Sequence, residues 1–233
     1  MKMDTLPSPI VDGEGTLEAR IADALRSFVE GVALNASEDF PDEVNDRLAG
    51  VAATAEAAMG KVSGRARDDV TRLLNASVQA STKPKKVLWL HRAADVFAAA
   101  IEPVAACRAG CSHCCHIPIK ISATEARAIG KAIDRSPLPL QDHNELSTMG
   151  YDAPCTFLKD STCSIRNHRP AVCRTHFNVD VDDLLCQLVP GQAIPVPYAD
   201  TRQFAMVSVM IEQDSRAWAD IRQWFPADAN RLS

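Results

Sequence analysis

Through the first hundred positions, apolar residues recur at three- and four-residue spacing. Leu17, Ile21, Ala24, Leu25, Phe28 and Val32 form one such series behind Thr16, a residue type favoured as an N-cap. Val44, Leu48, Val51, Ala55 and Met59 form a second over about 42–59, with Gly60 and Gly64 as punctuation. Val70, Leu73, Leu74 and Val78 predict a third helix over 66–79. A fourth starts at Lys83-Pro84-Lys85-Lys86, runs through Val87, Leu88, His91, Ala94, Phe97 and Ile101, and is closed by Pro103. Segments of this kind predict a bundle, and nothing in 16–102 has the spacing of a catalytic motif. His91 lies on the apolar face of its helix and reads as a hydrogen-bonded core group.

After residue 116 the period changes. Ile117, Ile119 and Ile121 alternate with Pro118 and Lys120, which predicts a short edge strand. Ser122-Ala123-Thr124-Glu125 is a capping-box pattern opening a helix to about residue 133. Residues 134–154 read as a proline-punctuated loop, in which Asp142, His143 and Glu145 fit no metal motif better than a polar loop. A hairpin is expected over 154–165, turning at Lys159-Asp160-Ser161-Thr162. Pro170 sits in the first turn of a short helix that carries Cys173. Residues 179–188 read as extended or part helix, Pro190, Pro195 and Pro197 as loop, and 198–213 and 216–225 as helices. Trp218, Ile221, Trp224 and Phe225 are the expected inward anchors of the last one. The fold class is therefore mainly α with a small irregular β hairpin: a helical bundle packed around a cysteine-cluster metal-binding core. The expected divisions are a flexible tail (1–15), an N-terminal helical region (16–102), a cysteine-cluster domain (103–186) and a C-terminal helical cap (187–233).

Composition narrows this in two ways. A chain of 233 residues can bury an ordinary core without disulfide staples. Its formal charge of −5 argues against a general nucleic-acid binder. Met1-Lys2-Met3-Asp4 leads into no apolar signal region, and no run approaches the roughly 20 apolar residues of a membrane span. The expected compartment is the cytoplasm, where thiols stay reduced and clustered cysteines mean metal or redox chemistry. The expected partner is an unidentified protein or small molecule, with no nucleic acid and no membrane.

The cysteines carry the chemistry. Cys107, Cys111, Cys114 and Cys115 fall within nine residues, and Cys155, Cys163 and Cys173 follow downstream. On a helical turn Cys107 and Cys111 would face one side, and Cys111-x-x-Cys114 is the usual turn for two sulfurs on one ion, with Gly110 easing the backbone. Cys114 and Cys115 are neighbours, and in an extended segment they point apart. Either one binds and the other packs, or the two serve different metals or different atoms of a cluster. Seven thiols, with His113, His116, His168 and His176 nearby, exceed the four ligands of a simple zinc site. They allow zinc, two zincs, or an iron–sulfur cluster, and exclude magnesium and calcium as natural occupants. Residues 107–177 carry a net charge of +3. Arg174, beside Cys173, is the expected arginine donating to the sulfurs or a bound cofactor. Cys186, in Leu184-Leu185-Cys186-Gln187-Leu188, reads as a buried small hydrophobe.

Cys107-x3-Cys111-x2-Cys114-Cys115, then Pro154-Cys155-x-Phe157-Leu158, Cys163-Ser164-Ile165 and Arg169-Pro170-x-x-Cys173-Arg174, resembles the YkgJ-type cysteine cluster family, also called CxxCxxCC, a zinc- or iron-chelating domain. The resemblance covers about residues 103–177. It implies that Cys107, Cys111, Cys114, Cys115, Cys155, Cys163 and Cys173 belong to one module chelating zinc or iron. In the flagellin lysine methylase branch it implies an iron–sulfur centre, such as a 4Fe-4S cluster. The chain departs from the pattern at Arg166-Asn167-His168, where an aromatic often follows the isoleucine. Three functional readings follow: a metal-binding protein with no assigned reaction, an iron–sulfur-dependent transferase or redox enzyme, and a structural metal site in a protein-interaction module.

Overall fold

The computed structural model describes residues 37, 39–139, 149–190 and 192–227. The expected tail and first helix, and the loop residues Asp142, His143 and Glu145, lie outside them. Helix α1 (Asp42–Gly60) buries Val44, Leu48, Val51 and Ala58. Helix α2 (Gly64–Gln79) follows, with the Ser63 hydroxyl accepting from the Ala66 N–H as its N-cap. Helix α3 (Lys83–Ile101) is capped in the same way by Thr82, with Pro84 in its first turn, where a missing N–H costs nothing. The helical spacing of the sequence therefore gives these three elements to within a few residues.

Helix α3 is the hub. It packs on α2, on α4 (Ala123–Ala132), on α5 (Ala171–Thr175) and on α6 (Arg202–Glu212). The largest apolar core joins Val70 and Leu74 of α2, Leu90, Ala94 and Phe97 of α3, and Phe204, Val207 and Ile211 of α6. A second core gathers Ile119, Ile121, Ile129, Phe157, Ile221, Trp224 and Phe225. A third, smaller one sets α1 against Leu185, Ile194 and Val196.

Strand β1 (Lys120–Ser122) pairs antiparallel with β4 (Trp218–Asp220), with Ile121 opposite Ala219. The hairpin is β2 (Leu158–Lys159) with β3 (Thr162–Cys163), turning at Asp160 and Ser161. Here the sequence expectation of a helix over 216–225 is corrected. Trp218 to Asp220 is strand, and helix α7 (Ile221–Trp224) is one short turn. The i, i+3 spacing of Trp218, Ile221 and Trp224 mimics a helix, but Trp218 and Ala219 supply the ladder partners that β1 would otherwise lack. Asp220 ends the strand and caps α7, accepting from the Arg222 N–H at 2.8 Å. The helix expected over 198–213 begins later, at Arg202, because Tyr198 is bridged to Asn178. Pro170 stands at the N-cap of α5 rather than within its first turn.

Candidate metal centre

The first four cysteines are placed by turns. Residues 107–111 are not helical, contrary to expectation: Gly110 takes φ of 89°, and the Cys111 N–H closes a turn on the Arg108 carbonyl at 3.1 Å. Such a φ suits glycine because no Cβ meets the following carbonyl. His113–His116 is a 3-10 turn, not an extended run. Successive side chains on a 3-10 helix diverge by about a third of a turn. Cys114 and Cys115 nonetheless keep their thiols within hydrogen-bond reach of one another, which the opposed side chains of an extended run would not allow.

The downstream cysteines are brought to this turn by backbone. The Cys155 N–H donates to the Cys115 carbonyl at 2.7 Å, and the Gly150 N–H to the His116 carbonyl at 3.1 Å. Cys163 sits on β3 opposite Leu158. Cys173 rides on α5, whose first N–H, that of Ala171, donates to the buried Glu125 carboxylate at 2.7 Å. Glu125 Oε1 also lies 2.7 Å from His91 Nε2, so His91 is the hydrogen-bonded group its position suggested. Only half of the capping box forms: Ser122 accepts from the Glu125 N–H, while the Glu125 side chain turns to α3 and α5. Cys155, Cys163 and Cys173 all pack on the second core, whereas Cys107 packs on the first.

All eight cysteines are free thiols and partly buried. Cys115 accepts the Cys114 S–H, which draws its pKa down to about 7, with help from the Arg169 charge, and pushes Cys114 up. Burial pushes Cys155 up to about 11 and Cys173 well above the ordinary thiol value; Cys155 is raised further by Cys115 and Cys163, and Cys173 by Cys155 and Cys115. Burial likewise raises Cys163, and the charge of Cys115 adds to it. Cys115, Cys155, Cys163 and Cys173 thus form one mutually repelling set. Cys155, Cys163 and Cys173 keep their protons until a cation takes the thiols, while Cys115 is the one most readily ionised, and such a set fits a thiophilic metal such as zinc or iron.

Arg174, the expected donor beside Cys173, is bound to oxygen acceptors. Its guanidinium is buried and donates to the carbonyls of Arg169 at 2.6 Å and Asn167 at 2.7 Å, and to Asp95. Three of its five N–H donors thus go to oxygen. Arg169 is the cation whose charge Cys115, Cys163 and Cys173 feel. Cys186 is not a purely apolar packing residue either. Its sulfur accepts from Asn178 Nδ2 at 3.3 Å and lies close enough to Cys107 and Cys111 to feel both, and burial pushes its pKa up to about 12. Of the histidines, His168 is exposed, His116 packs its ring on Tyr151, and His176 stacks on Tyr198 with Nε2 buried and unpartnered. His113 is different. Its Nε2 lies 3.4 Å from Asp183, a residue the cysteine spacing does not point to.

Residues 106–190, somewhat over a third of the chain, match the family CxxCxxCC, described as "Putative zinc- or iron-chelating domain". Residues 106–190 are thus similar to a CxxCxxCC domain. The matched span takes in all eight cysteines, Cys186 included. Neither a curated protein nor a solved structure matches the chain. Among the described residues, no helix is long and apolar enough to cross a membrane.

Proposed function

We propose that the protein binds zinc or iron through Cys107, Cys111, Cys114, Cys115, Cys155, Cys163 and Cys173, and that its function rests on that metal. The observation that supports this most is the convergence of Cys115, Cys155, Cys163 and Cys173 from four separate stretches into one set of crowded thiols. Disulfide pairing would relieve the crowding as well, but the reading takes the compartment as the cytoplasm, which keeps thiols reduced. The test is purification of the full chain without oxygen, followed by metal and acid-labile sulfide analysis. Stoichiometric zinc or iron is expected, falling by one equivalent or one cluster in Cys173→Ser. Folded, metal-free protein with every thiol titratable sinks the reading.

A second reading makes the four-thiol set the cradle of a 4Fe-4S cluster in a transferase or redox enzyme. Four cysteines are what such a cluster takes, and Arg169 beside the sulfurs supports it, since a cation offsets the negative charge of a thiolate-bound cluster. It requires sulfide in the analysis and visible absorption that bleaches on reduction. Colourless protein with bound zinc and no sulfide excludes it.

A further inference from the structure

The 3-10 turn that carries the cysteine pair has a second face, where a different donor set meets. Cys111, His113 and Asp183 each present one ligand atom, and all three atoms lie within 4.8 Å of one another. His113 Nε2 and Asp183 Oδ2 are 3.4 Å apart. In a tetrahedron with bonds of about 2.1 Å, neighbouring donors sit roughly 3.4 Å apart, so this pair already has the spacing of two ligands. The sulfur of Cys111 lies within 4.8 Å of both, as the third donor.

The surroundings hold this face in place. His113 Nδ1 lies 2.6 Å from the Tyr151 hydroxyl, which accepts from the Leu188 N–H at 3.2 Å. In the tautomer that donates Nδ1–H to Tyr151, the imidazole offers Nε2 as a lone pair towards Cys111 and Asp183, the arrangement by which an outer partner fixes a ligating histidine. Asp183 opens the 3-10 turn Leu184–Cys186, and its loop is tied to α1 by Arg47, which pairs with Asp180 at 2.9 Å and with Asp182 at 2.7 Å. The acid is thus anchored from a helix that contributes nothing to the thiol set.

We propose that Cys111, His113 and Asp183 form a separate mononuclear zinc site, with its fourth position open to water or to a neighbouring thiol, beside the sulfur-rich set of Cys115, Cys155, Cys163 and Cys173. The mixed sulfur, nitrogen and oxygen donors suit zinc, and a three-ligand site with an open position is the form zinc takes where it handles water or substrate. Half of the Asp183 side chain is exposed, so the site opens to solvent. The inference rests on the reading that this region holds metal, and it divides that metal between two places.

Cobalt(II), added to the metal-free full chain under argon, is the probe. Asp183→Asn keeps the shape of the half-exposed acid, and His113→Gln keeps a polar side chain beside Tyr151; circular dichroism checks the fold of each. Each variant is expected to lose one equivalent of cobalt, or to bind it at least tenfold more weakly against a chromophoric chelator. The sulfur-to-metal absorption of the other set should persist in both. Cys173→Ser should do the reverse. Folded variants with wild-type cobalt stoichiometry and affinity overturn the second site and leave the first reading standing. Loss of all metal from Asp183→Asn overturns it as well, by making the residues parts of one cluster. A wild-type chain that binds no metal removes both readings together.

Discussion

Glu125 is a single carboxylate with two consequences. It is 5% exposed, and one of its oxygens serves both His91 of α3 and the first N–H of the helix bearing Cys173. A buried N–H without an acceptor costs about 1–3 kcal/mol. Glu125→Ala is therefore expected to lower the stability of the metal-free chain by about that amount, read from urea denaturation. Glu125→Gln keeps an acceptor oxygen and should cost less. If both behave like the wild type, the carboxylate is not what seats α5. His176 gives a contrast at the same scale, because burial alone pushes its pKa down to about 4. A group with a depressed folded pKa stabilises fully above its unfolded value and loses that contribution as pH falls towards the folded one. His176 therefore contributes stability at neutral pH that drains away between about 6.5 and 4.

Among elements, the hairpin shows most plainly how local chemistry can oppose the fold. Asp160 and Ser161 have φ of 47° and 57°, the paired positive values of a tight hairpin turn that asparagine–glycine fills best. A non-glycine residue held there costs about 1–2 kcal/mol. Asp160→Asn with Ser161→Gly should therefore raise stability by on the order of 1 kcal/mol, seen as a higher urea midpoint with the metal content unchanged. The hairpin was legible because its turn residues and flanking apolar positions agree. Helices α1 to α3 were legible because one face of each is buried and the repeat survives in the sequence. Strand β4 was not: its partner is Ile121, ninety-eight positions before Ala219, and no local period records such a pairing. The clustering of seven cysteines could be read from spacing, while the approach of Asp183 and Tyr151 to His113 could not, since it comes only through tertiary contact. A sharper signal for the first existed in the three-residue spacing of Asp183 and Cys186, which lets one 3-10 turn present both.

For the whole molecule, the stretch that matches the family and the stretch that folds differ in extent. Within 106–190, β1 needs β4 from 218–220, Glu125 needs His91, and buried Arg174 needs Asp95. Asp220, wholly buried, accepts from the Ile119 N–H at 2.9 Å and from the Arg222 guanidinium, binding the C-terminal segment to the residues just before β1. A fragment of residues 106–190 is therefore expected to show no cooperative unfolding and to hold metal far more weakly than the full chain, by denaturation and by chelator competition. A fragment that matches the full chain in both would show the domain to be self-sufficient.

The fastening of α3 to the thiol-bearing helix through Glu125, and to Arg174 through Asp95, also bears on how long the protein lasts. A ligand bound only by the folded state stabilises it in proportion to the logarithm of its free concentration over its dissociation constant. Because the bundle and the thiol set share these ties, that stabilisation reaches the helices as well. With metal seated in the cluster, the half-life of the chain in a protease-containing cell becomes a measure of how much metal that cell supplies.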